Sequence, residues 1–392
     1  MNEKLLKLIG LGVKIKSLFF SFLFVLGIPV ICSFILGYQM EHHQIQHIPT
    51  AIVDHDNSQF SQMLIKEIKT NEIFNVTNYS DRDEDIKTLI EQEQIRVGVI
   101  IPENFSKDLF SGNGPRVLVF YDGSQMSVTS AAKARMSEIL LSIKTGYLKK
   151  IMEGKLNIMP EVSQNYVLPM YFNYRLLNNP TRNYINFLIP GMIISIIQVS
   201  LVMLGVDIVR KDEKSYLWLW LKGILGGLFG VISIGISLGV QFKYFDVPFR
   251  GTAEGAIILT LLYSIGLVSY GVLVRTILPD KIAALQVGAI SILPTTILAG
   301  FTFPVMGMPI FFQKLSEYLP FLHYGETMRD LCLKSIGMEY ILPQIHWLFK
   351  FVLYMWVATL VIFMLKKVVK REYNRIRSNK NQQQQAEEVI QA

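Results

Sequence analysis

Residues 186–204 read NFLIPGMIISIIQVSLVML, and no side chain in this stretch carries a charge. An α-helix rises about 1.5 Å per residue, so roughly 20 residues of this kind cross the ~30 Å hydrocarbon core of a bilayer. The stretch therefore predicts a membrane-spanning helix, and it sets the fold class for the rest of the chain.

The composition indicates a chain that crosses the membrane several times. Of the 392 residues, 51% are hydrophobic and only 18% are charged, whereas soluble domains carry about 25% charged residues. Further apolar runs bring the predicted spans to six, at residues 17–38, 186–208, 217–240, 254–275, 282–303 and 346–366. The first run is too long for the apolar core of a removable signal peptide, and no small-residue cleavage site follows it.

Lysine and arginine cluster on one side of this predicted arrangement. The clusters lie within residues 4–16, 210–214, 275–281 and 366–377, and six spans place all of them on the same face. By the positive-inside rule that face is cytoplasmic, so both termini are predicted to be cytoplasmic. The net charge of +7 then reflects membrane orientation, and it gives no reason to expect a nucleic-acid partner.

The long polar segment at residues 39–183 predicts an inserted domain outside the cytoplasm, and its length suits one globular unit. Apolar runs such as IPTAIVD (48–54) and IRVGVIIP (95–102) are typical of strands, and they alternate with segments of helical spacing. The chain is therefore predicted to be an α-helical polytopic membrane protein with an extracytoplasmic α/β insertion, built on a small and largely parallel sheet.

Four shorter segments accompany the predicted spans. Residues 1–16 place Lys, Leu and Ile at helical spacing, which predicts an amphipathic cytoplasmic interface helix or else a frayed basic terminus. Residues 209–216 form a charged cytoplasmic loop. Residues 304–345 are too polar for a plain span and too apolar for a free loop, which predicts re-entrant helices and an extracellular gate. Residues 367–392 form a basic tail that is predicted to be partly disordered.

Four of the six histidines lie in EHHQIQHIPTAIVDHDNS (41–58), where two aspartates also occur. A metal site is one interpretation of this stretch. It shows, however, neither paired cysteines nor an HExxH helix. Asp54 would end a strand, and Asp56 and Ser58 are residue types that cap helices. We therefore predict no metal site and give the aspartates structural roles.

Motifs along the chain resemble those of the ABC-2 type transporter permease family, in the subgroup with a large extracytoplasmic domain between the first and second transmembrane helices. The insertion begins IPTAIVDHDNSQFSQML (48–64) and continues IRVGVIIPENFSKDLFSG (95–112). The second span begins NYINFLIPGMI (183–193), and GFTFPVMGMPIFFQKLSEYLP (300–320) stands at the end of the fifth. The resemblance extends over nearly the whole chain apart from the tail.

This resemblance implies that the chain is half of the membrane part of an exporter. A second copy or a similar permease would complete the pathway. A cytoplasmic ATPase subunit would hold ATP and Mg²⁺, because the chain has no phosphate-binding loop and is predicted to bind no cofactor itself. The charged loop would couple to that subunit through Arg210, Lys211, Asp212, Glu213 and Lys214. Lys-Ser-Tyr at 214–216 replaces the Gly-Thr-Glu core of the family, so coupling geometry or partner choice is expected to differ.

Two further sets of functional residues are predicted. The gate set lies at the end of the fifth span and beyond it, and it consists of Gly300, Phe301, Pro304, Pro309, Pro320 and Arg329. The cavity set lies on the second and fifth spans, and it consists of Asn186, Phe187, Met192, Gln198, Thr295 and Thr296. The polar members could equally bond neighbouring helices. Apolar and aromatic walls suit a hydrophobic or amphipathic substrate, such as a drug, a lipid or a lipid-like metabolite.

Two other classes of function match parts of the sequence. A non-transport docking module or receptor would use the inserted domain, but it needs neither the re-entrant segment nor the charged loop. A membrane-embedded enzyme would need paired His, Asp or Glu in a span, and the predicted spans contain no such pair. We therefore expect an exporter permease in the cytoplasmic (inner) membrane of a bacterium. It would be surrounded by membrane lipid, with a periplasmic adaptor as a further partner.

Overall fold

The computed structural model describes residues 23–40, 45–111, 113–155, 159–167, 177–181, 183–210, 213 and 215–391. The chain forms two compact units: a membrane unit, which comprises the chain before residue 42 and after residue 175, and an insert unit of residues 42–175. The predicted interface helix at 1–16 lies outside the described residues, as do Lys211, Asp212 and Lys214. The first predicted span is described from Leu23 onward, as helix α1 (Leu23–Gln39).

A four-stranded sheet forms the centre of the insert unit. Its strands are β1 (Ile48–Asp54), β2 (Phe74–Ser80), β3 (Val97–Ile101) and β4 (Leu118–Tyr121), in the spatial order β2-β1-β3-β4. β1 pairs in parallel with β2 and β3, while β4 pairs antiparallel with β3. Every residue of β3 is buried, which explains why its sequence VGVII is apolar throughout instead of alternating.

Helices cover both faces of this sheet. The helices of the insert unit are α2 (Gln59–Thr70), α3 (Asp83–Glu91), α4 (Phe105–Ser111), α5 (Met126–Lys155) and α6 (Pro160–Val167). Leu64 of α2 and Met136 of α5 pack with Val99 on one face, and Ile86 of α3 packs with Ile100 on the other. The sequence pattern does not predict β2, because its polar sequence FNVTNYS exposes every second residue at an edge of the sheet.

Two aspartates, one at the end of β1 and one just after it, bind the starts of two helices. The carboxylate of Asp54 accepts a hydrogen bond of 2.7 Å from the hydroxyl of Ser61, and Ser58 caps α2 in a capping box with Ser61. The carboxylate of Asp56 accepts a bond of 3.1 Å from the amide of Ser106 in α4. Among the described residues there is no group of three or more His, Cys, Asp or Glu that could hold a metal ion.

Among the described residues that follow the insert, the membrane unit continues with eight α-helices. They are α7 (Tyr184–Asp207), α8 (Tyr216–Tyr244), α9 (Ala253–Ile277), α10 (Lys281–Ile292), α11 (Thr295–Leu298), α12 (Ile310–Ser316), α13 (Thr327–Leu333) and α14 (Met338–Gln391). Five described segments are long and apolar enough to cross a membrane, namely α7, α8, α9, the α10–α11 pair and the first part of α14. The shorter α1 is also apolar. A sixth full span stays a prediction, because the beginning of α1 lies outside the described residues.

Small and polar residues hold these helices together. α9 lies at the centre and contacts α7, α8 and α14. A Cβ atom added to Gly205 of α7 would lie 2.9 Å from the Cα of Gly271 in α9, so the two backbones touch, as small residues allow in membranes. The contact of α1 with α8 is polar: the hydroxyl of Ser33 donates to the carbonyl of Ser237 at 2.7 Å, and Gln241 donates to the carbonyl of Ser33 at 2.6 Å.

The fifth predicted span ends earlier than the sequence suggests. It was expected over 282–303, whereas the helical part runs over Lys281–Leu298 and breaks into α10 and α11 at Pro294. Proline supplies no amide hydrogen, so a hydrogen bond of the helix is missing at this position. Gly300 then adopts a φ of +80°, a left-handed conformation that ends helices. Residues 299–303 are therefore a turn, and this part of the prediction is corrected.

The last helix is longer at both ends than the sixth predicted span, 346–366. It begins at Met338 because polar residues near its start have partners inside the protein: the side chain of Gln344 lies 2.6 Å from the ring nitrogen of His323. At the other end α14 continues to Gln391, through the tail that was expected to be partly disordered. The Gln, Glu, Lys and Ala residues of that tail are good helix formers.

Candidate functional site

A first cluster of predicted residues surrounds Arg329 in α13. Its guanidinium carbon lies 5.0 Å from the ring centroid of Phe187, in the first turns of α7, and 5.0 Å from that of Phe301. Its side chain is 16% exposed and lies 3.6 Å from the carboxylate of Glu326. Burial raises the pKa of the Glu326 carboxyl above its ordinary value, although Arg329 acts to lower it. A cation between two aromatic faces is attracted by both rings, more strongly where water is excluded.

Phe301 is fixed by the helix on one side and by the re-entrant segment on the other. It is 1% exposed, and its ring meets Phe321 edge-on with centroids 5.9 Å apart. A Cβ atom at Gly191 of α7 would overlap the Phe301 ring, so the glycine of the NYINFLIPGMI motif provides the space for that ring. Pro320 directly precedes Phe321 and is buried, which places this member of the gate set next to the cluster.

The other prolines of the gate set lie elsewhere on the re-entrant segment. Pro304 precedes a 3₁₀ turn (Val305–Gly307), and Pro309 precedes α12. Both prolines are exposed. Their fixed φ angle suits the residue just before a helical turn. In the structure these two prolines therefore start local helical turns, and they do not lie in the cluster around Arg329.

A second cluster lies in the middle of the membrane unit, around Gln198 of α7. Gln198 is fully buried. Its amide nitrogen donates to the hydroxyl of Thr296 at 2.9 Å. Its amide oxygen accepts from the hydroxyls of Tyr263, at 3.1 Å, and Thr295, at 3.3 Å. Ser195 adds a further bond of 2.8 Å to Thr296. The network thus connects α7, α9 and α11 by side-chain hydrogen bonds.

Tyr263 links this network to the first cluster. Its ring stacks on Tyr324 with centroids 4.0 Å apart, and the hydroxyl of Tyr324 lies 2.9 Å from that of Thr260. Tyr324 belongs to the π-helical turn Leu322–Glu326, which also carries the Glu326 partner of Arg329. The sequence pattern alone gave no functional role to Tyr263 and Tyr324. A tyrosine well inside a span is a usable signal, because tyrosines in spans concentrate at the membrane interfaces.

The predicted cavity set is therefore divided between two places. Phe187 joins the Arg329 cluster, whereas Gln198, Thr295 and Thr296 form the central network. Met192 is half-buried on α7. The side-chain oxygen of Asn186 is buried and, among the described residues, has no hydrogen-bond partner. In this conformation Gln198, Thr295 and Thr296 bond neighbouring helices. This is the second of the two roles that the sequence allowed for them.

A third cluster lies at the other end of the membrane unit, around the described part of the charged loop. Arg210 and Glu213 line a cavity of about 890 Å³ together with residues at the start of α8, at the end of α9 and in the middle of α14. Glu213 forms an ion pair with Lys222 of α8. The hydroxyl of Tyr216, at the start of α8, donates to the carbonyl of Trp356 in α14 at 2.9 Å. We call this end, with its many Lys and Arg residues, the basic end.

Comparison with known proteins now decides the family. A family model described as ABC-2 family transporter protein matches residues 15–365 of the chain. The chain belongs to the ABC-2 family of transporter proteins. The match includes the Arg329 and Gln198 clusters, and the third cluster apart from Lys366, Lys367 and Lys370. The motifs that carried the resemblance supply Phe187, Gly191 and Phe301 to the first cluster.

Relatives of this permease include named transporters. It is 21% identical over 328 residues to the probable multidrug ABC transporter permease YbhR of Escherichia coli, with 80% of this chain and 86% of that protein covered. It is 24% identical to ABC transporter G family member 20 of Dictyostelium discoideum, covering 75% of this chain and 41% of that protein. It is 21% identical to the linearmycin resistance permease protein LnrN of Bacillus subtilis, with 76% of this chain and 83% of that protein covered. No solved structure matches the chain.

Proposed function

We propose that this permease is the membrane subunit of a bacterial inner-membrane exporter and that it moves a hydrophobic or amphipathic compound out of the cytoplasm or the inner leaflet. The observation that carries this proposal is the Arg329 cluster, in which three separate segments of an ABC-2 permease meet around one cation. Relatives named as multidrug and linearmycin resistance permeases and as an inner membrane transport permease support the substrate class and the location.

The Arg329 cluster and the network around Gln198, here called the two inner clusters, have the properties of a gate in its closed state. Cation–π contacts are worth about 0.5–2 kcal/mol each, and interhelical hydrogen bonds in membranes average about 0.6 kcal/mol. Together they amount to a few kcal/mol, which a ligand or a partner can offset by binding the open state more tightly. When the helices separate, Gln198, Thr295 and Thr296 would exchange their mutual bonds for contacts with substrate.

Energy would come from a separate ATPase subunit that binds ATP and Mg²⁺ and docks on the basic end. The loop at 209–216 joins α7, which carries Gln198 and Phe187, to α8. A push on this loop would therefore act directly on a helix of both inner clusters. A second copy of the chain or a similar permease would supply the other half of the pathway, and the insert unit would be free to bind a periplasmic adaptor.

The first test is purification of the tagged chain in a gentle detergent, with mass spectrometry of the proteins that accompany it and an ATPase assay. An ABC ATPase with vanadate-sensitive turnover is expected in the eluate. Inverted vesicles that contain the complex should then accumulate ethidium when ATP is added. A chain that purifies without an ATPase under all salt and detergent conditions would instead favour the docking-module function.

Coupling is tested separately by the double substitution Asp212→Ala and Glu213→Ala. We expect it to abolish ATP-driven ethidium accumulation while the protein remains folded and in the membrane. Glu91→Ala in combination with Glu84→Ala removes two exposed carboxylates of the insert unit and is the matched control. Transport at the unmodified rate in the Asp212/Glu213 variant would remove the loop from the coupling path.

A further inference from the structure

Five of the eleven residues that line the cavity at the basic end are cations. Its polar lining consists of Arg210, Glu213, Arg275, Thr276, Lys366, Lys367 and Lys370. The carboxylate of Glu213 is paired with Lys222. Among the described residues, none of the five lining cations forms an ion pair with a carboxylate. The cavity therefore concentrates positive charge that no described anion of the protein neutralises, and such a concavity attracts anions.

Arg275 is the most deeply placed of these cations. It is only 8% exposed, and its Nη1 atom donates to the carbonyl of Leu278 at 2.8 Å. Its Nε atom is buried and has no hydrogen-bond partner within the described part of the chain. Next to it, the ammonium group of Lys366 donates to the carbonyl of Ile277 at 3.1 Å. These bonds hold both side chains at the α9–α14 junction, and each cation keeps donors that are free for a ligand.

The rest of the wall is apolar and lies at the level where membrane helices end. Val209, Leu219, Pro279 and Phe363 complete the lining. The helix α8, which supplies Leu219 to the wall, begins with exposed aromatic residues: Trp218 is 61% exposed. Tryptophan concentrates at the headgroup level of bilayers. A ligand that fills this space must have an anionic part for the cations and an apolar part for the remaining wall.

We propose that this cavity binds the headgroup and glycerol region of an anionic phospholipid from the adjacent leaflet, with the phosphate between Arg275, Lys366 and Lys367. A volume of about 890 Å³ is within the usual range of ~300–1,000 Å³ for small-molecule sites. Basic pockets between membrane helices on the cytoplasmic side are suited to phosphate headgroups. The bound lipid would connect the charged loop, α9 and α14, so it would set the position of the coupling loop. This inference does not depend on the identity of the transported substrate.

An acidic surface of a protein partner is the competing occupant. It would satisfy the cations near the rim, such as Lys370 on the exposed side of α14. It would not reach the nearly buried Arg275, and it would leave the apolar wall around Leu219 and Phe363 without a contact. The geometry therefore favours the lipid, and the partner becomes an outcome of the test.

The experiment measures binding of fluorescent phosphatidylglycerol to the purified full-length chain in phosphatidylcholine mixed micelles. The double variant Lys367→Gln/Lys370→Gln removes two lining charges whose side chains are exposed on α14. The double variant Arg371→Gln/Arg375→Gln removes two charges from the same helix that do not line the cavity. Since each cation near an anionic lipid is worth about a fivefold change in affinity, we expect the first variant to bind at least tenfold more weakly and the second to change less than threefold.

Several results would overturn the proposal. Equal weakening in both variants would mean diffuse attraction to the basic tail. Full competition by glycerol 3-phosphate or inorganic phosphate at low millimolar concentration would mean a site for soluble anions. Unchanged lipid binding in the Lys367/Lys370 variant, together with loss of the co-purifying ATPase, would assign the cavity to the protein partner. Saturable binding with the expected difference, and no competition by soluble phosphates, would establish the lipid site.

Discussion

The guanidinium carbon of Arg329 lies 5.0 Å from the ring centroid of Phe301, although 27 residues, 302–328, separate them in the chain. The ring of Phe301 packs against Gly191 of α7. The guanidinium of Arg329 lies over the ring of Phe187 in the same helix. The stretch from Phe301 to Arg329 is therefore attached to α7 at both of its ends. Any opening of this end of the membrane unit has to break at least one of these contacts.

Substitution of Arg329 by methionine should make Cys332, one turn further along α13, more accessible to solvent. The nearby Cys332 is fully buried, and burial raises the pKa of its thiol to about 12, so maleimide labelling of Cys332 should be slow. Loss of two cation–π contacts, at about 0.5–1 kcal/mol each, should accelerate labelling roughly five- to thirtyfold. The assay uses a Cys32→Ser background, which leaves Cys332 as the single cysteine of the sequence.

The matched control is Phe303→Leu, because Phe303 lies on the same segment but is 53% exposed. It should label at the rate of the parent protein. Equal acceleration in the Arg329 and Phe303 variants would show general loosening of the segment, and the specific role of the cation between the rings would then be wrong.

Substitution of Gln198 by leucine should destabilise the membrane unit. The change leaves the hydroxyls of Tyr263, Thr295 and Thr296 without their common partner. At about 0.6 kcal/mol per interhelical bond, the free energy of unfolding should fall by roughly 2 kcal/mol. Unfolding in mixed micelles by increasing dodecyl sulfate measures it.

Ser200→Ala on the same helix is the comparison for Gln198→Leu. Ser200 is buried, and its hydroxyl makes one long bond of 3.5 Å to the carbonyl of Ile196 within its own helix. We expect a change below about 0.5 kcal/mol. If both variants lower the free energy of unfolding by the same amount, the Gln198 network stabilises the protein no more than an ordinary buried serine does.

A larger side chain at Gly205 should prevent the close crossing of α7 and α9. A Cβ atom there would already lie 3.0 Å from the backbone carbon of Val268, so Gly205→Val forces the helices apart. We expect loss of most folded protein in size-exclusion chromatography. Gly235→Ala in α8 meets no atom within 4 Å and should leave the folded yield unchanged or raise it, because alanine favours a helix over glycine by about 1 kcal/mol.

Acid should loosen one end of the sheet in the insert unit, whereas neutral pH should leave it intact. Hydrogen bonds from Ser124, with a contribution from Arg96, lower the pKa of Asp122 from 3.8 to about 2. A lowered folded-state pKa means that this stabilisation is complete above pH ~4 and is lost as the pH falls through ~2. The amide of Asp122, which donates to the carbonyl of Arg96 at 2.9 Å, should lose protection from hydrogen exchange in that window.

The variant Asp122→Asn in the full chain should show reduced protection of the same amide already at pH 7, with little further change down to pH 3. Asp81→Asn alters an exposed carboxylate and should follow the parent protein. A parent protein whose exchange at Asp122 is independent of pH, after correction for intrinsic rates, would contradict the structural role of this carboxylate.

The sequence by itself determined the class of the protein and those elements whose pattern is set locally. Bilayer thickness fixes how long an apolar run must be, so the predicted span at 186–208 and the observed α7, Tyr184–Asp207, agree within two residues at each end. A strand buried on both faces must be apolar throughout, so IRVGVIIP predicts β3. Asp54 and Ser58 act on their immediate neighbours, and local chemistry was sufficient to assign them.

Only the tertiary structure decided which distant residues meet. A membrane helix is apolar on its lipid-facing side and on its packed side alike, so periodicity could not indicate that Gln198 faces Tyr263 or that Arg329 faces Phe187. The Pro294 break in α10–α11, the polar edge strand β2 and the early start of α14 depend on partners far away in the chain. The basic cavity exists for the same reason: the sequence shows where the cations are, and the packing of α9 against α14 brings them around one space.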